Sequence, residues 1–265
     1  MTETQLEGRI VATREGSIFW ITFDSPRRMN ALTAAMWEDL PRVIGDAERD
    51  AEARIVILRG AGGDAFSAGA DISEFETVRT GAHKARYDAL NHDAFNAVAD
   101  CDKPTIAMIN GFCLGGGLEI ALCCDLRVAA HGATFAIPSA RLGIGYDPRW
   151  IRPLLASVTP THAKEIMFTG RRFSDQEALA MGLINRLHPA AELEAATRGL
   201  AEQIAANAPL AVAAAKAAID ALADTGQAAD LAPVDALVQA CSESEDYAEG
   251  RAAFLEKRKP DFKGR

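Results

Sequence analysis

An α/β fold is the class these 265 residues predict, and three features predict it. The short, fully apolar run Ile55–Leu58 and the largely apolar Thr105–Ile109 suit parallel strands buried on both faces. Stretches with helical spacing alternate with them, as stacked β-α-β units do. After about Trp150 the pattern turns alanine-rich, so a helical C-terminal segment is expected to pack on the α/β core. Hydrophobic residues make up 49% and charged residues 25%, a balance that argues against a disordered chain.

The elements follow in order. Ile10 to Phe23 reads as a β-hairpin turning at Glu15-Gly16-Ser17. Thr33 is placed to cap a helix running to about Glu48, with Met36, Leu40, Val43 and Ile44 on one face. Pro41 is expected to kink or break it. The strand Ile55–Leu58 precedes a loop crowded with Gly60, Gly62, Gly63 and Gly69. A helix is expected from Lys84 to Val98, then the strand Thr105–Ile109 and a turn at Asn110-Gly111. Gly115-Gly116-Gly117 opens a helix ending near Cys124, and Asp125 to Ala130 is a further strand. Helices are expected over Ala163–Phe168, Asp175–Met181, Ala191–Asn207 and Pro209–Leu222. The two strands followed by glycine-rich loops are a weak internal echo.

Charge and cysteine usage narrow the function. With 28 Lys+Arg against 37 Asp+Glu the net charge is -9, which argues against general nucleic-acid binding. No apolar run approaches the ~20 residues of a membrane helix. The polar, acidic start Met1 to Gln5 lacks a secretory pattern, so a cytoplasmic protein is expected. Five cysteines without a C-x-x-C pair read as buried apolar residues in a reducing compartment, and no metal site is expected.

Two loops carry the chemistry. One runs from Gly63 through Ala68-Gly69-Ala70-Asp71 to Ile72; the other runs from Asn110 through Gly115-Gly116-Gly117 to Glu119. Small residues let a ligand approach the backbone. In the second loop the glycines meet a helix N-terminus, which attracts negative charge. Neither loop contains G-x-x-x-x-G-K-[ST] or G-x-G-x-x-G, which disfavours a nucleotide phosphate and a nicotinamide-dependent dehydrogenase. An oxyanion developing on a carbonyl is the other candidate. Glu119, among Leu118, Ile120 and Leu122, is either a first-turn acid stabilising its helix or a desolvated proton-transfer group.

The segments Met29-Asn30-Ala31-Leu32, Phe66 to Ile72, Lys103 to Ala107, Asn110 to Glu119, Cys124 to Ala129, Ala178 to Asn185 and Glu249 to Arg258 occur in one order. In that order the chain resembles the enoyl-CoA hydratase/isomerase, or crotonase, superfamily over nearly its whole length. The resemblance implies a crotonase-like spiral of repeated ββα units over 1–200. A C-terminal helical region over 201–265 would make trimers or dimers of trimers. It implies an acyl-CoA substrate and no separate cofactor, CoA entering as the thioester. Glu119 matches the catalytic acid/base, and Ala68 and Gly116 match the N–H donors of the oxyanion hole. Arg28, Ala68, Ala70, Asp71 and Ile72 match CoA contacts. Phe254 and Lys257 match tail positions that approach CoA, in some members from a neighbouring subunit.

One departure stands out. The family's second glutamate follows the proline of Phe135-Ala136-Ile137-Pro138, and here that position is Ser139. Tyr146 is the nearest candidate to replace it as proton donor or clamp, with Asp147 and Arg149 beside it. His83, His92, Glu74 and Glu76 are candidates for shaping the acyl pocket. Enoyl-CoA hydration is the leading expectation. Isomerisation or decarboxylation through Glu119 and Tyr146 is the alternative, and so is a non-catalytic acyl-CoA binder.

Overall fold

The computed structural model describes residues 8–74, 83–223 and 231–265. Strands β1 (Arg9–Glu15) and β2 (Ile18–Asp24) form the expected antiparallel hairpin. β3 (Ile55–Gly60), β5 (Thr105–Ile109), β7 (Leu126–Ala130) and β10 (Arg186–His188) continue it in parallel, in the order β1-β2-β3-β5-β7-β10. Both faces of this sheet are covered. Val56, Leu58, Ala107 and Ile109 point into the main core. Ile55, Ile57, Ile106 and Met108 point into a second core closed by α7 (Leu193–Ala205). Full burial explains why these strands read as unbroken apolar runs rather than alternating ones.

A second sheet of four short strands runs beside the first. It holds β4 (Ala65–Ser67), β6 (Phe112–Leu114), β8 (Thr134–Ala136) and β9 (Phe173–Ser174), paired in that order. β3 leads into β4, β5 into β6 and β7 into β8, so each repeat gives one strand to each sheet. That is the repeated ββα architecture, and it accounts for the internal echo. β4 and β6 lie inside the two stretches expected to be glycine-rich loops. Three-residue strands are too short to display a period.

The helices bring the site together. α1 (Ala34–Arg49) is capped by Thr33, whose hydroxyl accepts from the Met36 N–H at 3.3 Å. It runs unbroken through Pro41, correcting the expected break: apolar burial of Met36, Leu40, Val43 and Ile44 outweighs one missing N–H. α2 (His83–Ala99) packs against α1 and against α3 (Gly116–Cys123). α4 (Pro148–Ser157), which the sequence reading left unassigned, packs on α3. α5 (Pro160–Thr169) starts before the expected Ala163, because Thr159 caps it. α6 (Asp175–Met181) matches its expected bounds.

Beyond α7, burial thins. α8 (Pro209–Ala223), α9 (Ala232–Glu243) and α10 (Glu245–Glu256) expose Ile219, Leu222, Leu237, Val238, Phe254 and Leu255. The tail folds back on α10. Buried Asp246 accepts the N–H groups of Lys263 (2.6 Å) and Gly264 (2.8 Å), and Arg54 donates to the Phe262 carbonyl at 2.6 Å. Among the described residues no single helix is long and apolar enough to cross a membrane.

Candidate active site

The two glycine-rich loops meet, and the reason is steric. A Cβ built on Gly69, whose φ is +89°, would lie 2.7 Å from the Leu114 carbonyl oxygen and 3.1 Å from the Gly116 nitrogen. One built on Gly117 would lie 2.7 Å from Ser67 Cβ. Only glycine permits this approach of the loop after β4 to the tip of α3.

A third segment braces the first loop. Ala68 N–H donates to the Met29 carbonyl at 2.9 Å, Leu32 N–H to that of Gly69 at 2.8 Å, and Asp71 N–H to that of Leu32 at 2.9 Å. Buried Asn30 holds the brace itself: its amide donates to the carbonyls of Ala61 (2.9 Å) and Ala65 (2.7 Å) and accepts the Ser25 N–H (3.0 Å). Asn30→Ala is therefore expected to destabilise the fold by about 2–4 kcal/mol, read as a urea midpoint shift, by stranding these buried groups. A midpoint unchanged from wild type would contradict the brace.

These bonds correct one expectation. The Ala68 N–H faces Met29 and is already engaged, so it is no oxyanion donor. Two residues on, the Ala70 N–H donates to no acceptor among the described residues, and neither does that of Gly116. The Ala70 nitrogen lies 4.0 Å from where a Gly116 Cβ would stand. The unengaged pair is Ala70 and Gly116.

Glu119 lies one turn beyond Gly116 on the same face of α3 and is 0% exposed. Burial raises its pKa to about 8, opposed in part by the Tyr146 hydroxyl, which donates to Oε2 at 3.1 Å. Oε1 has no partner among the described residues. A cavity of about 570 Å³ is lined by Tyr146, Ile72, Ile144 and Trp150, with Lys84 and Asp88 of α2 in its wall. Tyr146 thus belongs both to the cavity wall and to the surroundings of the carboxyl. The assembly is a buried carboxyl whose surroundings favour its protonated form, beside two unengaged N–H groups, with a hydroxyl shared with the cavity wall.

The enoyl-CoA hydratase/isomerase family model matches residues 13–265. The chain belongs to that family. It is 36% identical over 257 residues to a short-chain-enoyl-CoA hydratase of Clostridium acetobutylicum, covering 97% of this chain and 98% of that one. It is 37% identical to a carnitinyl-CoA dehydratase of Proteus mirabilis, covering 96% and 97%. A solved enoyl-CoA hydratase/carnitine racemase of Magnetospirillum magneticum superposes with a TM-score of 0.90 at 38% identity, over 97% of this chain and 96% of that one.

In this enoyl-CoA hydratase/isomerase family member the other expected residues divide. Arg28 pairs with the Asp71 carboxylate and reaches Ser73 Oγ at 3.3 Å. Burial opposes ionisation of Asp71, but the bonds from Ser73 and Arg28 outweigh it and hold the carboxyl below its usual range. Arg28 and 68–72 therefore form one patch, with Ile72 exposed. Phe254, 84% exposed, and Lys257 lie on and after α10, and no hydrogen bond or ion pair links them to that patch among the described residues.

Several polar candidates have structural work. Asp147 caps α4, accepting the Arg149 N–H at 2.9 Å, and the Arg149 guanidinium holds its pKa at about 2. Arg149 is engaged there. Glu74 accepts the Ala34 N–H at 2.8 Å at the start of α1, and His92 contacts Asn96 at 3.0 Å. Glu76 lies outside the described residues. Ser139 is buried at the start of a 3-10 turn, where its carbonyl accepts the Ile144 N–H at 2.9 Å. Sequence reasoning does not find Asn30 as a brace, Trp37 against Gly116 or Trp150 in the cavity wall. Only Asn30 carried a signal, through its place in Met29-Asn30-Ala31-Leu32.

Proposed function

We propose that this protein adds water across the double bond of a 2-enoyl-CoA thioester, and removes it in reverse. The pair of unengaged N–H groups, Ala70 and Gly116, one helical turn from a buried carboxyl, carries the reading. A thioester oxygen seated between the two donors gains negative charge as the enolate forms, and preorganised N–H groups stabilise that charge. The relatives' names, a hydratase and a dehydratase, support the same reaction class.

Without a second carboxyl at Ser139, protonation of the α-carbon falls to Glu119. Its protonated Oε1 gives a proton to the α-carbon. Water attacks the β-carbon and passes its proton to the Tyr146 oxygen, whose own proton moves to Oε2. The carboxyl ends protonated as it began, so one acid and one hydroxyl complete the cycle. The reading needs no cofactor beyond the CoA of the substrate. Arg28, Ala70, Asp71 and Ile72 form the CoA-facing patch. The region 201–265 would join copies of the chain, which would bring Phe254 and Lys257 to a neighbour's CoA. A cytoplasmic location fits such an enzyme.

The test is ultraviolet turnover of crotonyl-CoA. Loss of the conjugated enoyl absorbance with formation of the 3-hydroxyacyl thioester is the expected result. No loss, with crotonyl-CoA still bound, would overturn hydration. Conversion of a 3-enoyl thioester would then assign Glu119 to proton shuttling between two carbons.

A further inference from the structure

Four aromatic rings close a circuit that begins and ends on α3. The edge of Trp37 meets Gly116: a Cβ built there would lie 3.0 Å from its ring. Trp37 on α1 packs edge-to-face on Phe95 of α2, centroids 5.4 Å apart. Phe95 packs on Trp150 of α4 at 5.7 Å, and Trp150 on Tyr146 at 5.5 Å. The Tyr146 hydroxyl returns to α3 at Glu119. Trp37, Phe95 and Trp150 are buried, and each sits on a different helix.

The geometry points to a positioning role: Trp150 and Phe95 aim the Tyr146 hydroxyl at Glu119 and tie that aim to the placement of Gly116. The inference rests on the proposed proton path. Its physical basis is the loop that carries Tyr146. Gly143 and Gly145 precede the ring and border open space, so they contribute no side-chain packing of their own. Edge-to-face contacts have a preferred angle, and all three here have interplanar angles of 79°. Packing that fixes the ring fixes the direction of its hydroxyl, and proton transfer requires a donor placed within hydrogen-bond reach.

The test compares Tyr146→Phe, Trp150→Leu, Trp150→Phe and Phe95→Leu in the intact protein by pH–rate profiles on crotonyl-CoA. The Tyr146 bond lowers the Glu119 pKa, so losing it moves the alkaline limb of the profile to higher pH. Trp150→Leu and Phe95→Leu are expected to move the limb the way Tyr146→Phe does. They should lower kcat about tenfold with KM within twofold. Trp150→Phe, which keeps a ring, should recover most of the rate. If Tyr146→Phe moves the limb and neither leucine variant does, the positioning role is overturned and the proton path stands. If Trp150→Leu fails to fold, Phe95→Leu alone decides between these outcomes. An unmoved limb and rate in Tyr146→Phe would overturn the path and the inference together.

Discussion

Replacing Glu119 by glutamine is expected to lower kcat about a thousandfold and, increasingly above about pH 5, to make the protein more stable. The rate loss follows from removing the only carboxyl in the proposed proton path; positioned acid–base groups contribute ~10²–10⁴-fold. Glutamine keeps the shape and can still accept the Tyr146 hydroxyl bond, so the comparison isolates the proton. The stability gain follows from burial. Unfolded, a glutamate has a pKa near 4.5; folded, Glu119 is raised to about 8. A raised folded pKa means the native state holds its proton more tightly than the unfolded chain. The native state is therefore unpenalised below pH ~4.5, loses stability progressively as pH climbs from there to about 8, and loses no more above it. At pH 9 the penalty is of order 3–5 kcal/mol, and Glu119→Gln does not carry it. Urea denaturation of both proteins from pH 5 to 9 should show curves that coincide at the acid end and separate toward alkaline pH, the variant above. Parallel curves would refute the buried protonated carboxyl. The same group predicts that wild-type kcat/KM is flat in the acid-to-neutral range and falls above about pH 8.

What could be read in advance depended on how far apart the interacting residues lie in sequence. Glu119 was legible because its neighbours are local: glycines before it, a helix N-terminus under it and apolar residues around it. The buried strands were legible because both faces are covered, which leaves an unmistakable apolar run at Ile55–Leu58. The choice between Ala68 and Ala70 was not legible. Both are alanines in one loop, and what separates them is a carbonyl at Met29, almost forty residues earlier, that takes one N–H and leaves the other. The second sheet escaped because three residues show no period. Trp37, Phe95 and Trp150 carry no local signal of a shared role, because their stacking exists only once α1, α2 and α4 are packed.

Adding a single methyl group at Gly117 is expected to lower kcat/KM by about 10²–10³-fold, the loss typical when an oxyanion donor is misplaced. The new Cβ would stand 2.7 Å from both the Cβ and the carbonyl oxygen of Ser67. Neither atom is the free end of a flexible side chain, so backbone must move. Ser67 is 0% exposed and has no room to retreat. Its hydroxyl donates to the Asn30 carbonyl at 2.8 Å and accepts the Gly69 N–H at 3.1 Å. Pushing it therefore disturbs the brace and the loop that carries Ala70 at once. Gly69 already lies against Leu114 and Gly116, so the loops can part only by opening the space between the two N–H donors. Overpacking of this kind costs about 1–3 kcal/mol of stability, which leaves a folded protein to assay. Gly199→Ala on α7 is the matched control, because a Cβ there meets nothing within 4 Å. It should leave kcat/KM unchanged and raise stability slightly, as alanine does in an open helical position. Gly117→Ala with kcat/KM within threefold of the control would mean that the spacing of the two loops does not set the reaction rate. The oxyanion site would then have to be sought away from Ala70 and Gly116.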